Sequence, residues 1–144
     1  MKKIIVYSLL IAFFMACSKK SEPLPKGIDA VFVGSSDNKF YALNAKTGAA
    51  LWSFATSGAV HSSPTLAIGL VIVGSSDEKI YALDIKTGTK VWEFSLEMGI
   101  SSAPFVANGI VYVGMGNKAN FTSKLIALDV VTGIKKWEFI AEGQ

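Results

Sequence analysis

Short apolar runs, punctuated by Gly, Pro, Asn, Asp and Ser, set the pattern of this chain from residue 30 onward. Their brevity and their β-branched and aromatic content predict strands rather than helices. Four such runs follow one another between residues 64 and 94. Pro64–Ala67 opens on a proline, which donates nothing to a ladder. Leu70–Val73 is apolar throughout, as a strand buried on both faces requires. Lys79–Leu83 is the third. In Lys90–Phe94, Trp92 and Phe94 share one face and Glu93 takes the other. Ala67-Ile68-Gly69 and Ser75-Ser76-Asp77-Glu78 are the hairpin turns between them.

The pattern repeats. Gly34, Gly74 and Gly114 are spaced 40 apart, as are Trp52 and Trp92. Trp92 to Trp137 is 45, so the third repeat carries five extra residues. That repeat predicts strands at Pro104–Ala107, Ile110–Val113, Lys124–Leu128 and Lys136–Ile140. The first gives only Ala30–Val33, Lys39–Leu43 and Leu51–Phe54. A period near 40 with four short strands belongs to a propeller blade. The expected fold is all-β: a partial β-propeller of about three four-stranded antiparallel blades, the first lacking its innermost strand. The repeats divide as 30–69, 70–109 and 110–144. Closed propellers have roughly four to eight blades, so a three-blade wedge has two apolar flanks that favour association. Three readings stay open. The chain is a piece of a longer propeller, which is the favoured reading, or copies self-associate through the exposed blade flanks, or the fold frays.

One stretch recurs in register in all three repeats. It runs through Ala42, Asn44, Thr47, Gly48 and Trp52, then Ala82, Asp84, Thr87, Gly88 and Trp92, then Ala127, Asp129, Thr132, Gly133 and Trp137. The Asp or Asn caps a turn by accepting from the backbone two or three residues on. The Gly tolerates positive φ at the bend. The Trp sits early in the returning strand, and the small Ala leaves room for a large ring. The three tryptophans also suggest a stacking platform for sugar or quinone. Their identical motif position favours a structural, blade-docking role instead. The stretch closely resembles the tryptophan-docking motif of PQQ-like β-propeller repeats, over roughly Ala30 to Phe139. That resemblance speaks for fold more than for chemistry.

The N-terminal segment changes the picture of where the chain works. Lys2 and Lys3 precede an apolar stretch, Ile4–Ala16, that is short for a membrane span and fits a signal peptide, residues 1–16. Cys17 is the only cysteine, so the chain has no internal disulfide to draw on. Phe14-Met15-Ala16-Cys17 resembles a bacterial lipobox, with Phe14 where Leu is usual. The alternative is an ordinary signal with an incidental cysteine. The resemblance implies lipid attachment at Cys17. With Ser18 next, it also implies an outer-membrane anchor facing the periplasm, on a tether over residues 17–29 that holds Pro23 and Pro25. Without Lys2 and Lys3, 14 − 2 = 12 lysines face 11 acids, and the chain has no arginine. That balance carries no footprint for nucleic acid.

Candidate chemistry is sparse. His61 is the only histidine, and no motif supplies it with a nucleophile or an orienting acid. Ser62 and Ser63 align with Ser102 and Ala103, as repeat positions rather than nucleophiles would. Asp37 and Asp77 occupy equivalent turns one blade apart and are not expected to converge on a metal. No catalytic residue, cofactor site or metal site is therefore expected, PQQ included. Loops after the outer strand and between the second and third strands share one rim: Ala55–Ser63, Leu96–Ala103, Ser35–Asn38, Ser75–Glu78 and the longer Met115–Ser123. The inserted segment, with Asn117, Lys118, Asn120 and Phe121, is the candidate partner loop. These features resemble the BamB-type lipoproteins of outer-membrane protein assembly. That implies a non-enzymatic scaffold with a protein partner in the cell envelope. A glycan- or peptide-binding envelope module is the alternative. A fragment of a PQQ-dependent dehydrogenase is a third reading.

Overall fold

The computed structural model describes residues 29–100, 102–117 and 122–142. Cys17 with the whole signal and tether, and Lys118, Asn120 and Phe121, lie outside the described residues. Eleven strands form three separate antiparallel sheets, and no described segment is helical. The first sheet holds β1 (Ala30–Gly34), β2 (Lys39–Asn44) and β3 (Ala50–Ala55). The second holds β4 (Thr65–Ala67), β5 (Leu70–Gly74), β6 (Lys79–Asp84) and β7 (Lys90–Ser95). The third holds β8 (Phe105–Ala107), β9 (Ile110–Asn117), β10 (Thr122–Asp129) and β11 (Lys135–Glu142). Each sheet is a meander in chain order, as a propeller blade is. The first has three strands among the described residues. The short strands β4 and β8 close the sequence repeats 30–69 and 70–109, yet they pair into the following sheet.

The all-apolar run on β5 is explained by period-two alternation. Val71 and Val73 join Phe40, Leu83 and Ile85 in a core between the first two blades. Ile72 joins Ile80, Trp92, Val111, Val113 and Leu128 in a core between the second and third. The middle blade therefore buries both faces, and each outer blade buries one. Val71 is fully buried, whereas its repeat counterpart Val31 is 53% exposed on the free face of blade one.

The five extra residues of the third repeat were expected within a loop, Met115–Ser123. The structure corrects that reading. β9 continues to Asn117 and β10 begins at Thr122, while β11 runs on to pair Glu142 with Thr122. The insertion lengthens the β9–β10 hairpin, and its β10 residues Thr122 and Ser123 are backed by Glu142 and Ala141 of β11.

Tight turns join β4 to β5 and β8 to β9, with two successive positive-φ residues each. Asn108 (φ 51°) and Gly109 (φ 74°) serve in blade three, and Ile68 (φ 44°) and Gly69 (φ 80°) in blade two. A β-branched side chain in that region is strained, whereas Asn tolerates it. Ile68 is also exposed, so it gains little by burial there. The substitution Ile68→Asn is expected to stabilise the protein by about 1 kcal/mol. A urea titration checks this through a higher midpoint at unchanged slope.

Candidate functional site

Each repeat motif is built from the turn outward. Asp84 Oδ1 accepts from the backbone N–H groups of Lys86 (3.0 Å) and Thr87 (2.8 Å). Asn44 and Asp129 make the same pair of bonds in their blades. The turn then passes through Gly48, Gly88 or Gly133, with φ of 70°, 72° and 71°. A register shift follows at each motif Ala, between Ala42/Leu43, Ala82/Leu83 and Ala127/Leu128, and places the Trp opposite that Ala.

The indoles reach the neighbouring blade. Trp52 donates its Nε1–H to the Ile85 carbonyl at 3.3 Å, and its ring covers Gly88. Trp92 donates to the Val130 carbonyl at 3.0 Å and covers Gly133. Trp137 makes no indole hydrogen bond among the described residues. It is 43% exposed, against 7% for Trp92. Its ring leans on Tyr112 of its own blade, at a centroid distance of 5.8 Å.

The turn carboxylates are tuned by these bonds. Donation from the Thr87 backbone and hydroxyl holds Asp84 below the usual carboxylate range. Lys136, together with the Thr132 backbone, lowers Asp129 to about 2. A depressed acid stabilises the fold above its unfolded value, and that contribution is lost as pH falls. Asp129 should thus support the third turn fully above about pH 4 and lose that effect towards pH 2. The variant Asp129→Asn keeps the turn acceptor, as Asn44 does in blade one, but gives up the Lys136 pair. The difference in stability between wild type and variant, followed by denaturant titration from pH 6 to pH 2, should shrink over that window.

The rim is stitched by backbone bonds between successive blades. Ser76 donates to the Ala59 carbonyl at 2.9 Å, Val60 to Ser35 and Ile100 to Ser75, each at 3.0 Å. Asp77 Oδ2 accepts from the Ser57 N–H and from the Tyr81 hydroxyl, both at 2.8 Å. Burial, then the Asp77 bond, pushes the Tyr81 phenol upward. The loops Ser35–Asn38, Ala55–Ser63, Ser75–Glu78 and Leu96–Ala103 therefore share one edge of the wedge. β9 and β10 run out at that edge, with Asn117 the last described residue of β9.

His61 is exposed on the rim. Ser62 is buried and accepts from the Gly74 N–H at 2.8 Å, which ties the loop to β5. Asp37 accepts from the Tyr41 hydroxyl at 2.6 Å and sits in the first blade's own turn, apart from Asp77. No group of three or more His, Cys, Asp or Glu side chains gathers among the described residues.

Sequence reasoning missed one device. The Val60 side chain lies over Gly34, where an added Cβ would come within 2.6 Å of it, and Ile100 lies over Gly74 in the same way. Nothing lies within 4 Å of that position at Gly114. The 40-residue glycine period was the available signal, but the clasping partner depends on blade spacing.

Three meander sheets joined by docked tryptophans define a β-propeller repeat protein. A family model described as outer membrane protein assembly factor BamB matches residues 18–99 and 79–144, and the chain belongs to this family of PQQ-like repeat proteins. No curated protein sequence matches the chain. Among solved structures, BamB from Moraxella catarrhalis is 26% identical with a TM-score of 0.66, over 81% of this chain and 34% of that one. Quinohemoprotein alcohol dehydrogenase from Comamonas testosteroni is 27% identical with a TM-score of 0.71, over 78% of this chain and 20% of that one. A europium-containing methanol dehydrogenase, 24% identical with a TM-score of 0.71 over 81% of this chain and 24% of that one, shares the fold. The chain spans about a third or less of the length of these structures.

Proposed function

We propose that the chain acts as a non-enzymatic protein-binding scaffold of the cell envelope, tethered by lipid at Cys17 to the outer membrane and facing the periplasm. The observation that carries this reading is the lengthened β9–β10 hairpin at the stitched rim, in a chain of the BamB family. The strands are committed to blade packing, so the rim and the hairpin tip are where a partner has room to bind. The candidate residues Asn117, Lys118, Asn120 and Phe121 would offer a partner amide, charged and aromatic side chains. The family description, outer membrane protein assembly factor BamB, points to a partner in outer-membrane protein assembly.

The test is affinity capture from envelope extract with wild-type protein and with a deletion of Lys118–Thr122. An assembly protein as the main captured partner, lost on deletion, supports the scaffold. Capture that is unchanged by the deletion overturns the assignment of the tip. Retention on cell-wall glycan with no protein partner would favour a glycan-binding module.

The likeness to alcohol dehydrogenases gives a second reading, a blade segment of a PQQ enzyme. A calcium-bound quinone would need convergent carboxylate and amide oxygens; among the described residues no group of three or more His, Cys, Asp or Glu side chains gathers. Uptake of quinone with calcium by the purified protein would support that reading; failure to take it up would count against it.

A further inference from the structure

The Asp-x-x-Thr-Gly turns of all three blades lie on one edge of the wedge, opposite the stitched rim. Ala30 pairs with Asn44 there, and the Ala45 N–H donates to the Asp29 carbonyl at 2.8 Å. The chain that precedes blade one therefore arrives at this edge. Twelve residues (29 − 17) join Asp29 to Cys17, at most about 40 Å of chain. The β4–β5 turn opens on the same edge, since the Ile85 N–H donates to the Gly69 carbonyl at 3.0 Å.

Apolar side chains stand out from this turn edge. Ile68 is 55% exposed, Val131 60% and Ile134 67%. Leu51 and Val91, at the register shifts beside the turns, are exposed as well. A neighbouring blade does not cover these positions. Lys86 and Thr89 hold the places of Val131 and Ile134 in the middle blade, which is packed on both faces, and both are exposed. Ile68 and Val91 belong to that middle blade themselves. Ile68 is also strained, at φ 44°, where blade three carries Asn108. Burial within the fold does not offset that strain, whereas burial against something outside it would.

Charge divides along the same line. The turn segments 45–50, 85–90 and 130–136 hold Lys46, Lys86, Lys90, Lys135 and Lys136 and no acid. The rim loops Ser35–Asn38, Ala55–Ser63, Ser75–Glu78 and Leu96–Ala103 hold Asp37, Asp77, Glu78 and Glu97 and no lysine. Lys46, Lys90, Lys135 and Lys136 do pair with acids just outside the turn segments, in surface pairs that are weak.

We propose that the turn edge lies on an anionic phospholipid surface, with Ile68, Val131 and Ile134 entering the headgroup region and the lysines facing its phosphates. The proposal rests on the Cys17 anchor. Buried apolar area and lysines together supply the second signal that steadies an acyl-anchored protein on a membrane. The rim and the β9–β10 hairpin then point away from the bilayer, towards the periplasm.

The test uses acylated protein purified from the membrane and reconstituted into phosphatidylethanolamine–phosphatidylglycerol vesicles. Acylation occupies the Cys17 thiol, so Ile134→Cys or Ser36→Cys gives a single site for an environment-sensitive fluorophore. The probe at 134 should shift to the blue and lose emission to nitroxide-labelled lipid. The probe at 36, exposed on the rim, should do neither. Quenching at 134 should fall when Ile68→Asn and Val131→Gln are added, which change only exposed side chains. It should also fall in vesicles of phosphatidylcholine alone. Acylated protein with no shift at 134, or with equal quenching at both sites, overturns the assignment of the edge and leaves the anchor standing. So does quenching at 134 that neither the substitutions nor the lipid charge alters. An intact mass without acyl chains overturns the anchor, and this proposal with it.

Discussion

Replacing Trp92 by alanine is expected to destabilise the protein by about 3–5 kcal/mol, the usual range for truncating a buried large aromatic. The ring is 7% exposed and sits in the core between blades two and three. The loss includes its hydrogen bond to Val130, whose carbonyl would then lack the indole donor. The same substitution at Trp52 should cost less, since that ring is only partly covered and its bond to Ile85 is longer, at 3.3 Å. At Trp137, which is 43% exposed, it should cost least. Denaturant unfolding of the three single variants gives the order directly. Equal losses at all three positions would mean that the indoles act within their own blades rather than across junctions.

The second large effect comes from the surface on which an indole lands. Alanine at Gly88 is expected to lose about 3 kcal/mol, as the sum of a left-handed backbone penalty of about 1–2 and an overpacking penalty of at least about 1. Its Cβ would lie 2.5 Å and 2.6 Å from atoms of the Trp52 ring, so the ring must move. Alanine at Gly48 is the internal control. The φ is nearly the same, 70° against 72°, but no atom stands within 4 Å. Only the backbone penalty should appear there. The difference between the two losses isolates the docking contact, and a difference near zero would remove the steric argument.

Much of the fold was legible because its determinants are local. The Asp-x-x-Thr-Gly turn is closed by bonds within four residues, so Asp84, Thr87 and Gly88 announce it without help from the rest of the chain. Alternation on β7 separated Trp92 from Glu93 for the same reason. The run Leu70–Val73 told of burial on both faces, though not which valine faces which neighbour. What escaped depends on partners distant in sequence. Gly, Asn and Thr between Gly114 and Thr122 read as loop by composition. Gly116 and Asn117 carry strand because they pair with Ser123 and Thr122 of β10, which β11 backs through Ala141 and Glu142. The clasp of Val60 over Gly34 was likewise hidden. The glycine shows that something comes close, and only the spacing of the blades shows what. At the rim, the shared edge followed from strand order alone, whereas the Asp77 bond to Ser57, which ties two blades together there, did not.

Because every described junction joins only sequential blades, cohesion here is a nearest-neighbour quantity. A linear stack of three blades has one junction fewer than it has blades, and its two end blades are each held from one side only. Opening should then propagate inward from the ends. Slowly exchanging amides should concentrate in β5 and β6, and fast ones in β1 and β11.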